Sequence, residues 1–136
     1  MRLQHVSIPR PVGEASRQEA VDFYCGVLGL QPKPVPASLD ELQVQWFAAG
    51  EGELELHLFA ADDLKLVDEH DRRKVEQHFC LVVDDLAALQ AKVEAAGIAT
   101  WGGPNIYGRP RFFCQDPFGN IVEVAAIEED YRKGDL

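Results

Sequence analysis

Apolar positions in this chain follow two rhythms, one helical and one alternating, and the pair of rhythms is written twice. From about Glu14 to Leu28, the residues Ala20, Phe23, Tyr24, Val27 and Leu28 recur at helical spacing, and Gly29 stands where such a helix ends. A second helical stretch begins at Asp84 or Asp85, either of which suits an N-cap. It carries Leu86, Leu89, Val93 and Ala96 on one face and stops at Gly97. Each helix is expected to lay its apolar face on a sheet.

The strand-like segments repeat as well. A run led by histidine precedes each helix, His5-Val-Ser-Ile in the first copy and His78-Phe-Cys-Leu-Val-Val in the second. After the first helix, Pro32, Pro34 and Pro36 argue against a central strand, so an edge strand or loop is expected before Gln43-Val-Gln-Trp-Phe-Ala. Gly50-Glu-Gly52 reads as a turn into Glu53-Leu-Glu-Leu-His-Leu-Phe59, with residues 53, 55 and 57 on one side and Leu54, Leu56 and Leu58 on the other. The second copy has its own hairpin, Arg111-Phe-Phe-Cys-Gln115 and Ile121-Val-Glu-Val-Ala-Ala126. They are joined by Asp116-Pro-Phe-Gly-Asn120, whose Asp, Pro and Gly suit a type I turn. Glu55 and Glu123 each follow their helix-ending glycine by 26 residues, so each copy places a histidine and a glutamate at corresponding positions. The order in each copy is strand, helix, then two or three strands, and the charged residues 60–77 between them read as a solvated connector.

Composition narrows the function. A chain of 136 residues that is 46% hydrophobic can bury a core without a structural metal or disulfides, so a metal held by the repeated His and Glu would serve chemistry. The net charge is −10 and no basic cluster exceeds Arg72-Arg73-Lys74, which argues against a nucleic-acid partner. No apolar run approaches the roughly 20 residues of a membrane-spanning helix and no signal-peptide pattern opens the chain, so a cytoplasmic protein is expected. Cys25, Cys80 and Cys114 show no zinc-like spacing and read as buried reduced thiols.

In order and spacing, His5-Val, Phe23-Tyr-Cys-Gly-Val-Leu-Gly-Leu30, Leu56-His-Leu-Phe59, His78-Phe-Cys-Leu-Val-Val-Asp-Asp-Leu86, Ala95-Ala-Gly-Ile98 and Arg111-Phe-Phe-Cys-Gln-Asp-Pro-Phe-Gly-Asn-Ile-Val-Glu123 resemble the vicinal oxygen chelate superfamily, the glyoxalase, bleomycin resistance protein and dioxygenase group. The resemblance spans about residues 3–127. It implies one α+β domain over residues 1–136, built of two βαβββ modules, 3–59 and 78–127, whose curled mixed sheet surrounds a metal-binding cup. It also implies a divalent metal, Zn, Ni, Co, Mn or Fe, held by His5, His78 and Glu123. Glu55, which matches Glu123 across the repeat, is the candidate fourth ligand.

Imidazole and carboxylate donors suit these metals, and two histidines with one carboxylate leave positions open for substrate. Glu55 and His57 share a strand face, and only one of them readily fills a fourth position. The repeat favours Glu55 and the affinity of imidazole favours His57; alternatively Glu55 acts as a base while His57 contacts substrate. Trp46, Phe59, Trp101, Tyr107, Arg109 and Arg111 are candidates to line the cup, and either arginine can grip an anionic group of the substrate. The glycines of the segment 101–108 fit a lid or a closely approached loop. His70 reads as a surface residue of the connector.

The resemblance thus implies a metal-dependent enzyme of the glyoxalase type that chelates two adjacent oxygens of a small metabolite and stabilises an enediolate or alkoxide, with Glu55 or Glu123 moving the proton. Lyase, isomerase and thiol-transfer reactions all fit that description. A metal-free drug-binding resistance protein is the alternative from another class, and an extradiol dioxygenase is a third reading, weakened because those proteins carry two such double modules. Small members of the superfamily are usually homodimers, so a homodimer is expected, with the tail 128–136 frayed or packed on the partner. If modules are exchanged between subunits, His5 and His78 come from different chains.

Overall fold

The computed structural model describes residues 1–51, 54–62 and 77–133. Its elements run β1 (His5–Pro11), α1 (Glu14–Val21), a π-helical continuation (Asp22–Val27), β2 (Gln31–Lys33), a 3-10 helix (Ala37–Leu42), β3 (Gln45–Ala48) and β4 (Glu55–Ala61). They continue with β5 (His78–Val82), α2 (Leu86–Ala95), β6 (Arg111–Gln115), β7 (Ile121–Ala125) and α3 (Glu129–Lys133). The protein is α+β, with two small mixed sheets ordered β1-β4-β3-β2 and β5-β7-β6. In each, the strand before the helix pairs in parallel with the last strand of its copy, and the remaining pairs are antiparallel. Trp101 forms an isolated bridge to Phe113 where the first copy has its β2 edge strand. The expected connector from residue 63 to residue 76 lies outside the described residues, and β4 extends through 60 and 61.

Residue contacts divide the chain into two compact units, Met1–Asp68 with Asp116–Asn120, and Glu69–Gln115 with Ile121–Leu136. In the first, Phe23 and Tyr24 pack with Phe47, Leu56 and Leu58, all at most 3% exposed. The tyrosine ring stands 5.6 Å from that of Phe47. The helix that supplies Phe23 and Tyr24 changes pitch at Asp22, and Leu28 N bonds Phe23 O across the wider turn at 2.9 Å. It ends where Gly29 takes a φ of +81°. Periodicity over residues 14–28 predicts one helix, and the change of pitch is invisible to it because apolar residues fall on the inner face in either form.

Arg10 is a second tie in this unit. Its guanidinium is 1% exposed and donates to Pro11 O, Gly13 O, Ser16 Oγ and Gln43 O, joining β1, the start of α1 and the left-handed Gln43 (φ +49°). The turn Asp116–Asn120 belongs to the same unit. The Asp116 carboxylate, 5% exposed, accepts from Tyr24 Oη at 2.6 Å, Asn120 Nδ2 at 2.7 Å and the backbone N–H groups of Phe118 and Asn120, while Asn120 Nδ2 also donates to Pro9 O. In the second unit Val93 of α2 is buried with Phe112, Cys114, Val122 and Val124. Asp85 caps α2 by accepting from Ala88 N at 3.0 Å, and Gly97 closes it with a φ of +81°. In the tail, Glu129–Lys133 form α3, and residues 134–136 lie outside the described residues. No described helix is long and apolar enough to cross a membrane.

Candidate active site

Alternation along the strands sorts the first sheet into a core face and a polar face. Leu56 and Leu58 point to the core, while His5, Glu55, His57, Trp46 and Lys33 share the other side, because His5 lies opposite Glu55, Trp46 opposite His57, and Lys33 opposite Trp46. Three aromatic rings stack there in series: Trp46 on His57 at 4.7 Å and His57 on His5 at 4.2 Å, each pair within 13° of parallel. The stack leaves His57 7% exposed. Its Nε2 stands 2.7 Å from Glu55 Oε2, and Lys33 Nζ stands 2.7 Å from Glu55 Oε1. The hydrogen bond from His57 and then that from Lys33 hold the Glu55 carboxyl well below its usual range, at about 2. His5 Nδ1 lies 2.6 Å from Gln4 Oε1. Glu55 and His57, two rivals for one ligand position, are therefore bonded partners.

The second sheet makes a corresponding but not identical cluster. Glu123 is 2% exposed, and its Oε2 lies 2.8 Å from His78 Nε2. Its Oε1 accepts from Arg109 Nη2 at 2.5 Å and meets Arg111 Nε at 3.2 Å in an ion pair without hydrogen-bond alignment. The strand register differs from that of the first copy. His5 faces its glutamate directly, whereas Glu123 is opposite Cys80, and His78, two residues earlier, reaches it diagonally. Cys80 is exposed rather than buried as the sequence predicts, and its thiol is pushed up to about 11 by partial burial and then by the Glu123 charge. Cys114 is buried, and all three cysteines are free.

The remaining candidates separate. Arg109 and Arg111 join Glu123, with Arg111 5.6 Å from the Phe113 ring centre. Phe113 in turn packs edge-on against His78 and stacks with Trp101. Tyr107 is 62% exposed and its hydroxyl donates to Asp130 of α3, and Phe59 is 38% exposed. The segment 101–108 is fastened at both ends, by paired backbone bonds between Trp101 and Phe113 and by Glu128 N donating to Gly108 O. A Cβ on Gly103 would come 2.9 Å from the Arg111 guanidinium, so that glycine serves close approach. Lys33 and Tyr131 escape the sequence reading. Lys33 sits between two prolines, and only the β2–β3–β4 register reveals that it reaches Glu55.

The donor types of both His–Glu pairs suit a divalent metal; their separations of 2.7 and 2.8 Å are hydrogen-bond distances, so a bound metal would replace those bonds. Among the described residues, no group of three or more His, Cys, Asp or Glu side chains forms a ready metal site. The donors fit as two-membered halves, each already balanced by protein cations.

Two parallel-closed sheets, each bearing a His–Glu pair, define the glyoxalase-like fold. The family model of the Glyoxalase/Bleomycin resistance protein/Dioxygenase superfamily matches residues 2–124, and the chain belongs to that superfamily. Among solved structures it is similar to a glyoxalase family protein from Bacillus anthracis, with 24% identity, a TM-score of 0.78, and 94% of this chain and 96% of that one covered. It is also similar to an antibiotic binding protein from a Streptomyces species, at 20% identity and a TM-score of 0.66, covering 94% and 97%. Lactoylglutathione lyase from Agrobacterium tumefaciens is a further neighbour, at 23% identity and a TM-score of 0.65, covering 92% of each chain. Comparison with curated proteins returned no match.

Proposed function

We propose that this protein is a metal-dependent enzyme of the glyoxalase type acting on a small metabolite with two adjacent oxygens, with His5, His78 and Glu123 as metal ligands and Glu55 as the fourth. The observation that carries the reading is the buried Glu123 carboxylate with its Oε2 2.8 Å from His78 Nε2, which brings together two of the three residues at the ligand positions that the resemblance implies. A bound divalent ion, Zn, Ni, Co, Mn or Fe, would supply a Lewis acid for the negative charge that develops on those oxygens. The residues do the rest. Glu55 or Glu123 would take and return a proton, and His57, bonded to Glu55 and held between the rings of Trp46 and His5, would contact the substrate. Arg109 and Arg111 offer guanidinium groups to an anionic part of the substrate, while Trp46 and Tyr107 supply apolar contact. The reaction is a lyase, isomerase or thiol-transfer step, and the working unit is a homodimer.

A second reading, a metal-free binder of a drug or metabolite, is favoured by the cations already seated on both carboxylates, Lys33 on Glu55 and Arg109 on Glu123. A cleft of about 280 Å³ beside Lys33 and Trp46 approaches the size of small-ligand sites. Metal analysis of protein purified without a His tag, beside His78→Ala, decides between the two. Near-stoichiometric metal that is lost in the variant supports the enzyme, and wild type that stays metal-free after reconstitution overturns it in favour of the binder.

A further inference from the structure

We propose that Tyr131, on the C-terminal helix α3, is a positioning residue for Glu123 that acts through Arg109. The inference rests on the reading that Glu123 is the working carboxylate of the second copy.

Arg109 is held from two sides. Its Nη2 donates to Glu123 Oε1 at 2.5 Å, while its Nη1 donates to Tyr131 Oη at 3.4 Å and its Cζ lies 5.7 Å from the centre of the Tyr131 ring. A side chain this long loses rotamer entropy when fixed, and at 23% side-chain exposure Arg109 is not fixed by burial alone. The ring and hydroxyl of Tyr131 supply the missing restraint. The tyrosine is itself seated closely: α3 closes on the 107–109 segment through Glu128 N to Gly108 O at 2.8 Å and Tyr107 Oη to Asp130 at 3.2 Å. Gly108 has a φ of +70°, and a Cβ there would stand 3.0 Å from Tyr131 Cβ and 3.1 Å from its backbone nitrogen, so α3 packs directly on the backbone.

The consequence falls on the two oxygens of Glu123. With Arg109 at 2.5 Å and Arg111 at 3.2 Å, Oε1 is committed to protein cations, and Oε2, beside His78, is the oxygen offered to a metal or substrate. Glu123 therefore works through one oxygen, and α3 sets which one. Removing Tyr131 releases Arg109, lets the carboxylate turn, and loosens the His78 contact without touching either residue.

The test follows the Arg109 Nε–Hε and His78 ring-nitrogen NMR signals in metal-free protein, for wild type, Tyr131→Ala, Tyr131→Phe and the solvent-facing helix control Arg132→Ala. Tyr131→Ala is expected to shift both sets of signals, Tyr131→Phe to shift them partway because the ring remains, and Arg132→Ala to shift neither. A changed Arg109 signal with an unchanged His78 signal overturns the proposal, as does no change at either residue; should Tyr131→Ala unfold, Tyr131→Phe carries the same comparison. A Co²⁺ titration then reads the effect on metal, with an expected weakening of about 10- to 100-fold in Tyr131→Ala, the scale for partners that orient metal ligands. Wild type that takes up no Co²⁺ sinks the metal reading alone, and the metal-free spectra still decide the role of Tyr131.

Discussion

Glu55 is where a single residue tests the site most directly. Its carboxyl is held down to about 2, first by the His57 hydrogen bond and then by Lys33, against an ordinary value of about 4.3. A depressed carboxylate stabilises the fold above its unfolded value and loses that contribution as pH falls through its folded one. The Glu55 share is therefore complete above about pH 4.3 and disappears as pH falls toward 2. Lys33→Met removes the second cause and leaves the first, so the Glu55 midpoint, followed by NMR of its side-chain carboxyl carbon, should rise toward the ordinary range without reaching it. An unmoved midpoint would show that Lys33 does not hold this carboxylate in solution. The sequence makes Glu55, His57, His78 and Glu123 legible as candidates because strand parity and the repeat place them. It cannot reveal the two-residue difference in register that puts Cys80 opposite Glu123, since a parallel pair is formed across a long connection that carries no register signal.

Among the elements, those with local chemistry are the ones the sequence announces. Gly29 and Gly97 end helices at positive φ, Asp85 caps α2, and Pro32 marks an edge strand. The 3-10 helix 37–42 and α3 carry no such signal, since neither has an apolar stripe and both are set by what they pack against. The 116–120 turn shows how much a short element can hold. Its Asp116 carboxyl is pushed up by burial even though four donors converge on it, so desolvation outweighs hydrogen bonding in its titration. With a raised folded value, its ionisation weakens the fold as pH rises through that value, so a protein without this group should lose less stability over that range. Asp116→Asn is a different perturbation, because an amide NH₂ would meet donors from Tyr24 and Asn120. We expect it to cost about 1–3 kcal/mol in urea denaturation, and a change within error would mean that the turn is held by its backbone alone.

At the scale of the whole molecule, charge and site pull in opposite directions. The protein carries a net −10, yet three of its 13 basic residues, Lys33, Arg109 and Arg111, lie against the two glutamates proposed as metal ligands. The general field draws cations toward the molecule, while the local cations blunt the carboxylates that would receive them. These effects separate by range. Salt screens the long-range attraction, with a Debye length that falls from about 30 Å at 0.01 M to about 8 Å at 0.15 M, but it scarcely reaches an ion pair at 2.5–3.2 Å on a glutamate 2% exposed. Co²⁺ uptake followed by stopped flow should therefore slow as ionic strength rises over that interval in wild type. Lys33→Met lowers the net charge by one more unit and leaves Glu55 bonded to His57 alone, so it should bind more tightly at every salt concentration while keeping the same direction of salt dependence. A wild-type rate indifferent to salt would show that the acidic surface plays no part in delivering the metal, and a variant no tighter than wild type would remove Glu55 from the proposed ligand set.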